Sequence, residues 1–216
     1  IIGGTGSGKS TLLNLIPRMY DVTGGRVLID GVDIRQMNLH RLRALIGYVP
    51  QQGVLFSGSI ASNIKYGDET MSDADMERAA AIAQAQGFIG EKEGGYLSEV
   101  SRGGSNVSGG QRQRLSIARA IAGKPKVLLF DDSFSALDYR TDLMLRQALR
   151  REMGDTTVLI VAQRIATVMK ADKIIVLEQG RIVGEGRHEE LLRTCDSYRE
   201  IAQSQLSAEE LKGGVA

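Results

Sequence analysis

The residues Gly3-Gly4-Thr5-Gly6-Ser7-Gly8-Lys9-Ser10 follow the pattern G-x-x-x-x-G-K-[ST]. Glycines at this spacing let the backbone bend around an anion and turn several N–H groups toward it. A helix starting near Ser10 adds the positive end of its dipole. Lys9 is then expected to reach the β- and γ-phosphates of a nucleoside triphosphate, and the Ser10 hydroxyl to ligate Mg²⁺, with Thr11 in the same turn. Far along the chain, Val127-Leu128-Leu129-Phe130-Asp131 is an apolar run ending in a carboxylate. The C-terminal end of a parallel strand lies on the edge where ligands bind, which makes Asp131 the expected partner in the Mg²⁺ shell.

These groups need elements to hold them. Ile1-Ile2 reads as the tail of a buried strand, and Ser10 to Ile16 as a short helix ended by Pro17. Arg26 to Asp30 reads as a strand, Asn38 to Leu45 as a helix with Asn38 as N-cap, and Ile46 to Val49 as a strand stopped by Pro50. From Gly53 to Ala122 the pattern turns helical. Met71 to Ala85 is one helix, with Ser72 or Asp73 as its cap, and Gln111 to Ala122 another, stopped by Gly123 and Pro125. Strands and helices then alternate: strands at Val127 to Phe130, Thr157 to Val161 and Lys173 to Leu177, and helices at Arg140 to Arg151, Ile165 to Lys170 and His188 to Arg193. Glu178-Gln179-Gly180 reads as a hairpin turn, and the tail from Ser197 as an exposed helix. Such alternation implies a parallel sheet covered on both faces.

Composition narrows the class. Over 216 residues, 27 Lys and Arg stand against 26 Asp and Glu, a net charge of +1 that gives no support to nucleic-acid binding. No apolar stretch approaches the roughly 20 residues that span a bilayer. The single cysteine, Cys195, leaves no internal disulfide to form and reads as an inert thiol. His188 reads as a surface residue and His40 lies in an early helix. A chain that opens at the end of a strand running into a glycine loop is expected to belong to a longer polypeptide.

Val107-Ser108-Gly109-Gly110-Gln111, followed by Arg112 to Ala120, resembles the signature motif of the ABC ATPases, with Val107 where leucine is usual. Its physics is that of the phosphate loop again: a hydroxyl and glycine N–H groups at a helix start, aimed at phosphate. Other segments resemble the same family in order. Gln51 after Tyr48-Val49-Pro50 matches the Q-loop, which touches Mg²⁺ or water, and Ser135-Ala136-Leu137-Asp138 matches the D-loop. Leu55 to Ile60 and Glu99-Val100 resemble exporter segments that face the membrane domain's coupling helices.

The resemblance implies an α/β P-loop NTPase fold. Its RecA-like core would comprise 1–52 and 123–216, with the first strands and the adenine-stacking aromatic upstream. An inserted helical subdomain would occupy 53–122. It also implies ATP and Mg²⁺ (through Ser10, Gln51 and Asp131), a second ABC ATP-binding domain as partner, and a transmembrane domain upstream with about six spans. The module would work at the cytoplasmic face of the cell membrane.

Two positions depart from the family pattern. Asp132 stands where a glutamate polarises the attacking water, and its carboxylate is one methylene shorter. Gln163, in Val161-Ala162-Gln163-Arg164, stands where the family has a switch histidine; a carboxamide can donate a hydrogen bond but does not titrate near neutral pH. In the family, paired losses of this kind mark one half of a heterodimeric exporter: its own site hydrolyses slowly, and its Ser108–Gln111 signature completes the partner's site. A fully active homodimeric exporter and a soluble ABC-type ATPase of translation or DNA repair are the rival readings. The exporter-like segments weigh against the soluble ATPase, and the signature weighs against a small-molecule kinase.

Overall fold

The computed structural model describes residues 1–207. Helix α1 (Lys9–Leu15) precedes a short antiparallel pair, β1 (Leu28–Ile29) and β2 (Val32–Asp33), then α2 (Leu39–Ala44) and β3 (Ile46–Val49). Between 53 and 122 lie α3 (Ile60–Ile64), α4 (Asp73–Ile82), α5 (Gln86–Gly90) and α6 (Gly109–Ala122), with two-residue strands β4 (Gly58–Ser59) and β5 (Glu99–Val100). Alternation follows: β6 (Val127–Asp131), α7 (Tyr139–Glu152), β7 (Thr157–Val161), α8 (Ile165–Val168), β8 (Ile174–Glu178), β9 (Arg181–Gly186), α9 (His188–Thr194) and α10 (Asp196–Gln205). The chain divides into two compact units, Leu28–Leu159 and Ile1–Val27 with the chain from Ile160 on.

In the Leu28–Leu159 unit the strand order is β3-β6-β7. β3 and β6 run parallel, with Ile46 opposite Val127 and Val49 opposite Phe130. Every residue of β6 is buried, as a strand covered on both faces requires. Polar caps start the helices, two of them at the expected Asn38 and at Ser72 of the Ser72/Asp73 pair, and a third at Asp138 of the D-loop. Asn38 accepts from the His40 and Arg41 N–H groups, Ser72 from Asp75, and Asp138 from Thr141. α6 packs against β3, α3 and α4. A Cβ added at Gly47 would stand 2.5 Å from the Ala120 carbonyl oxygen and 2.8 Å from Leu128 Cδ2. Gly47→Ala is therefore expected to destabilise the fold by about 1–3 kcal/mol, read as a lower denaturation midpoint in urea.

In the other unit, Ile1-Ile2 is an interior strand fragment. Ile1 donates to the Ile160 carbonyl at 2.7 Å and accepts from Ala162 at 3.1 Å. On its other side Ile2 bridges Val176 in parallel. β8 and β9 form an antiparallel hairpin turned at Gln179 and Gly180, both at positive φ. A core of Ile2, Ala162, Ile165, Val168, Ile174, Val176, Leu191, Cys195, Tyr198 and Ala202 lies beneath.

Two sequence expectations change here. The tail helix is not simply exposed, because Tyr198 and Ala202 of α10 are fully buried, and residues 208–216 of that tail lie outside the described residues. His188 is not a plain surface residue either. Its Nδ1 lies 2.7 Å from the Tyr198 hydroxyl, and burial lowers its pKa. Among the described residues, no helix is long and apolar enough to cross a membrane.

Candidate functional site

The phosphate loop joins the strand fragment at Ile2 to α1. Gly3, Gly6 and Gly8 take φ values of 156°, 78° and 95°, which L side chains rarely adopt. At Gly3 a Cβ would also collide with the Leu177 carbonyl. Lys9 is buried, and its ammonium donates to the Gly3 carbonyl at 2.7 Å, the Gly4 carbonyl at 2.6 Å and Ser7 Oγ at 3.3 Å. Gly4, Thr5, Gly6, Ser10 and Thr11 are exposed, and α1 carries no acid in its first turn. The loop itself carries no carboxylate, and its cation, hydroxyls and glycine backbone form a donor set suited to a phosphate chain. Gly4 to Ser7 also line a hollow of about 260 Å³ with Glu178, Gln179, Ser197, Glu200 and Ile201.

Asp131, Asp132 and Gln51 belong to the Leu28–Leu159 unit. Asp131 ends β6 and is 7% exposed; the Tyr48 hydroxyl donates to its Oδ2 at 3.3 Å. Burial, then the Asp131 charge, push the Tyr48 phenol up to about 12, so it stays protonated as that donor. Asp132 is 9% exposed with φ 48°, a backbone region in which Asp is enriched. The Gln51 carboxamide donates to Asp132 Oδ2 at 3.3 Å, so the structure brings these two sequence-predicted residues together. Within this unit, Asp131 and Gln51 offer hard oxygen donors, a carboxylate and a carboxamide, of the kind that suits Mg²⁺. Among the described residues there is no cluster of three His, Cys, Asp or Glu placed for a metal.

The signature caps a helix. Ser108 Oγ accepts from the Gln111 N–H at 3.2 Å, and Gln111 Oε1 accepts from the Ser108 N–H at 3.1 Å, a reciprocal capping box for the 14 residues of α6. Ser108 and Gly109 are exposed while Val107 is buried, so the apolar first position anchors the motif. The D-loop lies close, since a Cβ on Gly110 would stand 3.6 Å from the Ala136 carbonyl oxygen. Asp138 caps α7, and hydrogen bonds from the Thr141 side chain and then its N–H lower its pKa.

Sequence reading missed Gln113. This buried glutamine of α6 accepts from the Gly53 N–H at 2.8 Å and donates to the Pro50 carbonyl at 3.2 Å, tying the Q-loop to the signature helix. Its signal was a polar residue on the inward face of an amphipathic helix, which needs tertiary partners to interpret. The exporter-like segment also leans on α6. Phe56 and Tyr66 stack at 4.2 Å, and the Arg119 guanidinium lies 5.0 and 5.5 Å from their centroids while donating to the Val54 and Asn63 carbonyls. Gln163 follows β7 in the other unit, where its carbonyl accepts from Gln205. A separate cleft of about 430 Å³, lined by Arg78, Ile82, Lys124 and Glu152 among others, includes none of the sequence-predicted site residues.

With this geometry in hand, known proteins give the context. The family model described as ABC transporter matches residues 1–135. An uncharacterized ABC transporter ATP-binding protein of Mycobacterium tuberculosis is 49% identical over all of this chain, which spans 37% of that relative. An ATP-dependent lipid A-core flippase of Syntrophus aciditrophicus is 42% identical over 97% of the chain, which covers 35% of it. The chain thus spans about a third of the length of these relatives. Among solved structures, a bacterial Atm1-family ABC exporter with ATP bound superimposes with a TM-score of 0.91 at 40% identity, over 96% of this chain and 36% of that one. The expected P-loop NTPase fold, a parallel sheet with helices, is the fold of that exporter's matching part.

Proposed function

The chain belongs to the ABC transporter family, and on that footing we propose that it is the ATPase module of a membrane exporter, working by closing on a second such module around Mg-ATP. The observation that carries this is the glycine loop from Gly3 to Thr11, which carries no carboxylate and folds around Lys9. The exposed, capped signature at Ser108 supplies the second surface that a shared nucleotide would need. The exporter assignment rests on the segments from Leu55 to Ile60 and at Glu99-Val100, and on the likeness to an exporter. The core of 1–52 and 123–216 and the helical part of 53–122 belong to the same proposal, as do an upstream membrane domain and a place at the cytoplasmic face.

In this reading Lys9 and the loop amides bind and orient the triphosphate. Ser10, Gln51 and Asp131 are the residues that would hold Mg²⁺, and the ion would supply charge neutralisation to the phosphates. Asp132 and Gln163 face the demanding part of the reaction, taking a proton from water. A base must sit within about 2.6–3.2 Å of its donor, and Asp132 has a shorter reach than glutamate. Gln163 offers a hydrogen bond but no group that titrates near neutral pH. The chain's own site therefore binds Mg-ATP and hydrolyses it slowly, while its signature completes a faster site on a different chain.

The test is the double variant Asp132→Glu, Gln163→His in the full-length transporter. Turnover by the chain's own site is expected to rise by about tenfold or more, as restored acid–base help contributes on the order of 10²–10⁴-fold at its best. Fast turnover in the unmutated protein, unchanged by the double variant, would instead favour the fully active homodimer.

A further inference from the structure

Gln205, at the end of α10, grips the segment that follows β7 with both ends of its carboxamide. Nε2 donates to the Gln163 carbonyl at 2.8 Å, and Oε1 accepts from the Ile165 N–H at 2.8 Å. Ile165 opens α8, and the N-cap residue Arg164 offers no side-chain cap. A glutamine 40 residues further on does the capping that a serine or aspartate usually does locally.

The helix that carries Gln205 is itself fixed. Tyr198 and Ala202 are fully buried in the core that also holds Ile165 and Ile2. At its other end Ser197 Oγ donates to Glu178 at 2.8 Å, and two residues past Glu178 the Gly180 N–H donates to the Ser7 carbonyl at 3.1 Å. Ser197, Glu200 and Ile201 line the same hollow as Gly4 to Ser7. One helix therefore braces the neighbourhood of the phosphate loop at one end and the main chain of residue 163 at the other.

We propose that Gln205 is a positioning residue for residue 163: by fixing the main chain at 163 and 165 it sets how the side chain of residue 163 leaves β7, so that ATP hydrolysis depends on it and ATP binding does not. This inference rests on the ATPase reading above.

Gln205 is largely exposed, so its replacement spares the core. The test compares Gln205→Leu and Gln205→Glu in the full-length transporter, in the unmutated chain and in the Asp132→Glu, Gln163→His background. Gln205→Leu is expected to lower kcat by about tenfold in the background where the chain's own site is faster, since misplacing a group by about 1 Å can cost on the order of a hundredfold. KM is expected to stay within about twofold, and hydrogen exchange at the Ile165 amide to quicken. Gln205→Glu keeps the acceptor for Ile165 but, when ionised, lacks the proton for the Gln163 carbonyl. Its kcat relative to the unmutated protein is therefore expected to climb as pH falls from about 8 toward about 5, where a carboxyl begins to protonate.

Unchanged kcat for Gln205→Leu in both backgrounds overturns the proposal. So does a loss of kcat and KM together without recovery in acid, which marks a merely structural contact. Failure of the ATPase reading looks different, because there the unmutated protein does not bind ATP.

Discussion

Lys9→Ala is expected to weaken ATP binding by about a hundredfold and to remove turnover with it. Two contributions combine. A hydrogen bond to a charged group is worth about 1.5–3 kcal/mol, and each 1.4 kcal/mol is about tenfold in affinity. The ammonium also holds the loop in shape from within, through the Gly3 and Gly4 carbonyls and Ser7 Oγ. Removing it loses the charge and leaves buried acceptors with fewer donors. Lys9→Arg separates the two contributions: it keeps the charge but puts a planar fork where a compact ammonium fits. Titration with a fluorescent ATP analogue reads both variants. Equal affinity for Lys9→Ala and the unmutated protein would remove the ground on which the function stands.

The second large effect is expected at Ser108, which under the proposed function would face nucleotide held by a different module. Ser108→Arg should cut ATP turnover of the assembled transporter by about a hundredfold, because a long cation fills the space through which a facing phosphate must approach. Nucleotide affinity of the isolated domain should stay within about twofold. Ser108 also caps α6, so some stability is lost, about 0.5–2 kcal/mol for such caps. Ser108→Ala controls for this: it removes the cap without adding bulk, and is expected to match the stability loss while keeping more of the turnover. If Ser108→Arg and Ser108→Ala reduced turnover equally, the effect would belong to the cap and not to a shared site.

Much of the site was legible because its chemistry is local. The glycines of the phosphate loop appear where positive φ is required, and Asn38, Ser72 and Asp138 cap helices through neighbours two or three residues on. Asp131 is placed by the strand that it ends. What the sequence hid depends on distant partners. Gln113 reads as one more polar residue in a basic helix until Pro50 and Gly53 are beside it. α10 looks like a polar tail because Arg199, Glu200, Gln203 and Ser204 outnumber its apolar residues. Yet Tyr198, Ile201 and Ala202 keep helical spacing, and that stripe was the available sign that one face is covered. His188 was misjudged for the same reason, its partner lying one helix further along.

The Gln113 tie also bears on how the chain reaches its native form. Pro50 and Gly53 satisfy main-chain groups with a side chain 63 and 60 residues later. During synthesis these two ties cannot close until α6 has left the ribosome. The Pro50 carbonyl also accepts from Ser133 Oγ at 3.3 Å and Gln51 donates to Asp132, so the bend carrying Gln51 gains these ties only once the chain beyond α6 is made.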